Sequence, residues 1–170
     1  MVDKSIFTYP TLLGYLLKRM ENSYPDKQIG KTIVQKMMYL LTREGIVDFN
    51  YSMYHYGPYS SEVSGELDFA NSTGIIDIKW IDDKGYFISS TQKLENFETR
   101  LTEKNKQVVD KFVKKFGRFN AIELSLIATA FFLKDNFNVP NERIAEVVHN
   151  AKPKYSLEFI DSVLQNSGIM

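Results

Sequence analysis

The chain's only imidazoles are His55 and His149, and it has no cysteine, so any side-chain chemistry must be built from few parts. A serine nucleophile needs a base and an orienting acid. No Gly-x-Ser-x-Gly elbow surrounds any serine here. His55 stands inside an aromatic-rich stretch, where it reads either as a hydrogen-bonded or exposed edge histidine or as a catalytic base. No His-x-x-x-His pair and no closely spaced aspartate cluster offers a metal its ligands. Asp82-Asp83 sits in a turn ending at Gly85, where short carboxylates are turn formers. Neither of the glycine patterns that cradle phosphates is present, and the scattered carboxylates assign no acid–base pair. The expectation is a protein with no catalytic residue, no metal and no cofactor.

Recognition has more to work with. Phe49, Tyr51, Tyr54, Tyr56 and Tyr59 put five aromatics into eleven residues, broken by Gly57-Pro58. Such rings either stack bases, as in single-strand binders, or pack as an alternating strand and leave their phenol ends for an interface. The next stretch, Ser60 to Asn71, carries Glu62, Glu66 and Asp68 and no basic residue. Further on, Lys104, Lys106, Lys111, Lys114, Lys115 and Arg118 face a single acid, Asp110. That run reads as a phosphate-contacting face or as a solvated helix face.

These residues must be positioned by helices and short strands. Leu12, Leu13, Leu16, Leu17 and Met20 recur at helical spacing, and Pro25 ends that helix at the latest. A second helix is predicted from about Gln28, with Ile33, Met37, Leu40 and Leu41 inward and Gly45 as its stop. Ser52 to Tyr56 reads as a short strand leading into a turn. Ser60 or Ser61 caps a third helix closed by Gly74, and Ile76 to Ser89 forms a hairpin about the Asp82–Gly85 turn. Helix, helix, strand, helix and hairpin is the order of a winged helix-turn-helix. Beyond it, Leu94, Phe97 and Leu101 mark a short helix, and Val108, Val109, Phe112 and Phe116 mark the next, after Thr102. Asn120 with Glu123 starts a helix through Leu133. Pro140, as first helical residue, and Ser156 open the last two. The fold class expected is α+β, mainly helical. A winged-helix-like half (1–90) with a small β-hairpin packs on a helical half (91–170) as one compact unit.

Composition narrows the class further. A chain of 170 residues with 44% hydrophobic side chains can bury roughly 70% of its unfolded surface without staples. The absence of cysteine fits a reducing cytoplasm. The first ten residues, with Asp3 and Lys4, lack the apolar core of a signal peptide. The most apolar run, Leu124 to Leu133, is too short to span a bilayer. A cytoplasmic protein without membrane contact is therefore expected. The 21 basic and 21 acidic residues balance, but the balance hides an acidic segment at the helix a winged helix would insert into DNA. The usual mode of DNA reading is therefore not expected.

The stretch Gln35-Lys36-Met37-Met38-Tyr39-Leu40-Leu41, followed by Gly45 and then Tyr54-His55-Tyr56-Gly57-Pro58-Tyr59-Ser60, resembles the YwgA-like family of small bacterial and archaeal proteins. It is also similar to the Panacea antitoxin domain, and to the C-terminal region of antitoxins that carry an ADP-ribose-removing macrodomain. Ile122 to Ala128 and Ala151 to Ser156 look like the helical half of the YwgA-like family. The resemblance marks Gln35, Lys36 and Tyr39 on the helix and Tyr54, Tyr56, Gly57, Pro58 and Tyr59 at the turn. It implies neutralisation of a toxin by protein contact; lacking a macrodomain, the chain inherits no ADP-ribose chemistry.

The residues themselves allow two roles for the constellation. Gln35 and Tyr39 share a helix face and are placed to bond the turn's backbone, which would lock helix to turn. Tyr54, Tyr56 and Tyr59, with Glu62, Glu66 and Asp68 beside them, would also suit a basic protein partner. The reading carried forward is a non-enzymatic interaction module that binds a protein, a toxin among the candidates, through Tyr54–Asp68. Its alternative is a nucleic-acid-binding transcriptional regulator using Lys104–Arg118.

Overall fold

The structure, a computed structural model, describes residues 4–170. It is α+β and mainly helical: seven α-helices and two small antiparallel hairpins among the described residues. Helix α1 (Thr8–Ser23) follows a 3-10 turn and buries Leu12, Leu13, Leu16, Leu17 and Met20. Helix α2 (Lys31–Arg43) starts three residues later than its periodicity suggests. The reason is tertiary. The Ile29 carbonyl accepts from Ile88 N–H at 2.8 Å, and Gln28 Nε2 donates to the carbonyls of Lys84 and Tyr86, so the chain there is held extended. Gly45, at φ +81, ends the helix region as expected.

The predicted strand at Ser52–Tyr56 is instead a tight hairpin. Strand β1 (Ser52–Tyr54) pairs with β2 (Gly57–Tyr59) in the register Ser52↔Tyr59 and Tyr54↔Gly57, leaving His55-Tyr56 as the loop. Ser60 Oγ accepts from Val63 N–H and caps α3 (Ser61–Ser72). The second hairpin pairs β3 (Ile76–Ile81) with β4 (Gly85–Ser90), and Ile78 faces Ile88. Between Gln92 and Arg100 the expected helix is two 3-10 turns.

Helix α4 (Glu103–Phe116) is capped by Thr102 and buries Val109, Phe112, Val113 and Phe116. Helix α5 (Ala121–Phe137) opens on the expected Asn120–Glu123 capping box and outruns Leu133 by a turn, to Asn138 at φ +53. Its residues 124–130 are all buried. A helix apolar all round sits at the centre of a core, and α5 indeed packs on α2, β2, α6 (Asn141–Ala151) and α7 (Leu157–Ser167). Pro140 is the residue before α6 rather than its first. Helix α1 closes the opposite side against α3, α4 and β4. No single helix among the described residues is long and apolar enough to cross a membrane.

Candidate functional site

Two consecutive side chains of α2 grip the first hairpin. Gln35 is 3% exposed, and its amide pairs with one residue's backbone in both directions. Its Nε2 donates to the Ser60 carbonyl at 2.8 Å, and its Oε1 accepts from Ser60 N–H at 3.0 Å. Lys36, 2% exposed, donates from Nζ to the Pro58 carbonyl at 2.8 Å. From the other side Lys152 Nζ, just beyond α6, donates to the His55 carbonyl at 3.0 Å. Tyr39 does not reach the turn. It lies a helical turn further on, and its ring meets Tyr51 edge-on at 5.0 Å.

Gly57 and Pro58 seat the hairpin on α5. Gly57 has φ +98, and a Cβ there would lie 2.8 Å from Thr129 Oγ1 and 3.2 Å from the Ser125 carbonyl. Thr129 Oγ1 is fully buried beneath it and has no hydrogen-bond partner among the described residues. Ser125 and Thr129, one turn apart on α5, thus form a bed that a bare α-carbon fits. Sequence reasoning found Gly57 and Pro58 by turn chemistry, but nothing local pointed to Thr129 or Lys152 as their supports.

The aromatic residues divide between two sides of the tip. Tyr54 is 60% exposed, with its ring 5.5 Å from that of half-buried Tyr59, whose hydroxyl shares a 2.7 Å hydrogen bond with Ser64 Oγ. Both line a shallow cleft of about 550 Å³ with Asn50, Tyr51, Ser52 and Ser61. Glu62 borders it, accepting from Asn50 N–H and Nδ2 at 2.9 and 3.1 Å. Glu66 follows one turn along α3. Burial, and then the Glu62 charge, push its carboxyl above the usual range. Tyr56 opens instead into a different hollow, against the α6–α7 connection. Asp68 lies about 200° around α3 from Glu66 at 100° per residue, and so leaves this face. Of the six residues singled out for partner contact, Tyr54, Tyr59, Glu62 and Glu66 are brought together.

The basic run does not make one face. Lys104, Lys111 and Lys115 fall within about 40° of one another around α4 and are exposed. Lys114 is a quarter turn away. Lys106 is half-buried, near Glu103 and over the Tyr15 ring. Arg118, past the helix, donates to the Asn166 carbonyl at 2.7 Å and covers the Phe119 ring.

The sequence also contains Glu146-x-x-His149, a spacing that can serve a metal. His149 Nδ1 lies 2.7 Å from the Tyr155 carbonyl, and no three His, Asp or Glu side chains converge on a metal-sized site among the described residues.

Burial, with the Lys152 charge adding to it, lowers the Lys36 ammonium from the ordinary 10.5 to about 8. The folded protein therefore holds this proton less tightly than the unfolded chain. Below the folded value both states are protonated and the cost of the buried charge is complete; between the two values stability rises with pH. Raising pH from about 7.5 to 9.5 should raise the urea midpoint by an amount worth on the order of 1–3 kcal/mol. Lys36→Met should remove most of that slope, leaving what Lys27 and Lys152, lowered by burial in the same sense, supply. A wild-type midpoint that stays level across this range would contradict the assignment.

A small α+β protein, mainly helical, with an aromatic hairpin fastened to its central helices, is the class that fold and surface define. The chain belongs to the antitoxin SocA-like family, Panacea domain, whose model matches residues 33–131. The matched span contains Gln35, Lys36, the whole first hairpin, α3 and the start of α5 through Thr129. The expected kinship with the Panacea antitoxin domain holds. No curated protein matches the chain.

Proposed function

We propose that this protein is a non-enzymatic, antitoxin-like module that acts by binding a protein partner through Tyr54 and Tyr59, flanked by Glu62 and Glu66. The family's antitoxin designation supports the class of role. The surface is favoured by one observation above the rest: Tyr54 is 60% exposed on a hairpin whose backbone is fastened by Gln35, Lys36 and Lys152. A large ring held out to solvent on a rigid mount loses little freedom when a partner covers it. The neighbouring carboxylates select a basic partner surface, such as one that otherwise grips nucleic acid. Within this reading residues 1–90 form a winged-helix-like half on a helical half, 91–170, as one compact cytoplasmic unit. The order α1, α2, α3 and hairpin supports it, as does the Ile29–Ile88 backbone bond that lays an extended segment beside the hairpin.

The partner to test is a toxin with a basic surface, co-expressed with this protein. Tyr54→Ala combined with Glu62→Lys and Glu66→Lys should abolish co-purification with it while the circular dichroism spectrum and a cooperative melt show the variant still folded. Undiminished capture by the triple variant would sink the proposal. The second reading, nucleic-acid binding, is favoured only by the Lys104, Lys111 and Lys115 stripe. It requires affinity that falls steeply with salt and is lost when Lys111, Lys114 and Lys115 are neutralised. The absence of Lys or Arg from α3 argues against base reading by the winged-helix route.

A further inference from the structure

Against the α6–α7 connection, the hairpin tip closes a second concavity of about 660 Å³. His55 and Tyr56 form one wall, Ile122 at the start of α5 another, and Lys152, Lys154 and Tyr155 between α6 and α7 the third. No carboxylate among the described residues lines it. Lys152 and Lys154 have no acidic side chain within 4 Å among the described residues. Lys36 lies buried behind them, near enough for its charge to be felt against that of Lys152. The hollow is therefore electropositive with no counter-charge of its own.

Its rim is apolar. Tyr56 and Ile122 are exposed at the mouth, and the Tyr155 ring continues to Phe159, 6.1 Å away, where α7 also exposes Leu157. Large apolar side chains left in water beside a well-formed concavity mark an interaction site.

We infer that the hollow between the hairpin tip and the α6–α7 connection docks an acidic peptide segment of a partner protein. An apolar side chain enters between Tyr56, Ile122 and Tyr155, and flanking carboxylates meet Lys152 and Lys154. Charge complementarity selects this occupant: the ammonium groups need anions, and the apolar rim needs more than a compact anion supplies. The site has the opposite charge to the Glu62–Glu66 patch, so one chain would offer two surfaces with different tastes on either side of the hairpin tip.

The test uses fluorescence anisotropy on the whole protein with a fluorescein-labelled peptide of glutamates interspersed with phenylalanine and leucine, and with its lysine counterpart. The acidic peptide should bind, the lysine peptide should not, and Lys154→Glu should weaken binding roughly tenfold. Ile122→Asp, at an exposed position, should do the same through the apolar half of the site, and Lys79→Glu, an equal charge change on the second hairpin, should leave the affinity unchanged. Thermal melts establish that each variant is folded. Equal affinity for the two peptides, no saturation up to millimolar protein, or indifference to both Lys154→Glu and Ile122→Asp would overturn the inference. So would displacement of the peptide by equimolar ATP or inorganic phosphate, which would identify a small-anion site instead.

Discussion

Gly57→Ala is expected to destabilise the protein by roughly 3–5 kcal/mol, the sum of a backbone cost and a packing cost. The backbone cost comes from φ +98, a conformation that L side chains rarely adopt. The packing cost comes from Thr129 Oγ1 at 2.8 Å and the Ser125 carbonyl at 3.2 Å, two atoms carried by the core helix α5. The Ser125 carbonyl belongs to α5's backbone and cannot yield without disturbing the helix. The two costs can be separated by experiment. Gly45 has nearly the same need for positive φ, +81, but a Cβ there meets nothing within 4 Å. Gly45→Ala should therefore cost only roughly 1–2 kcal/mol. Urea unfolding of both variants, followed by far-ultraviolet circular dichroism, checks the difference. Equal losses would mean that the bed of Ser125 and Thr129 contributes nothing.

Gln35→Leu should cost roughly 1–3 kcal/mol despite conserving volume, because it strands the Ser60 N–H in a buried site and leaves the Ser60 carbonyl only its bond from Ser64 N–H. Water cannot replace the amide cheaply: Gln35 is 3% exposed and Ser60 1%. The loss has a second consequence. Ser60 is the last anchored residue before α3 and also its cap, and Gln35 Nε2 reaches Ser64 Oγ, the partner of the Tyr59 hydroxyl. Loosening Ser60 therefore loosens Tyr59 and the start of the acidic helix together. In a background where the protein remains folded, Gln35→Leu should weaken partner binding although Gln35 itself is inaccessible. Tyr54→Ala should do the reverse, removing contact while sparing the urea midpoint. If Gln35→Leu left stability within about 0.5 kcal/mol of wild type, the paired bonds to Ser60 would have no energetic role.

Local chemistry was the legible part. Caps at Ser60, Asn120 and Ser156 and the helix-ending glycines 45 and 74 follow from residues acting on their own backbone, and they stand where the sequence puts them. What depended on distant residues was not legible. The start of α2 is set by hydrogen bonds to a hairpin more than fifty residues on. The first hairpin escaped notice because its loop, His55-Tyr56, lacks the Asn-Gly signal and its second strand begins Gly-Pro, which reads as a break. That omission also hid the partition of the tyrosines. On a continuous strand Tyr54 and Tyr56 would share a face, but with the chain reversing between them they serve different hollows. Tyr39 was assigned to the turn by helical spacing alone, and the edge-on contact with Tyr51 that claims it instead is tertiary. The divergence of Asp68 from Glu62 and Glu66, by contrast, was available from 100° per residue.

Helix α5 carries one more implication. The span by which the family is recognised stops at residue 131, inside that helix and six residues short of its end. Its beginning, residue 33, falls after α1. A fragment cut to those limits would keep the hairpin, Gln35, Lys36 and the glycine seat, but lose Lys152. It would also discard Leu12, Leu13, Leu16, Leu17 and Met20 from one side, and from the other Ile144, Val148, Ile160 and Leu164, nearly all of which are shut off from water. The matched span therefore holds the hairpin and most of its α2 and α5 supports, while the flanking helices supply the core that keeps them dry, and a graft of that span alone would carry the pattern without its insulation.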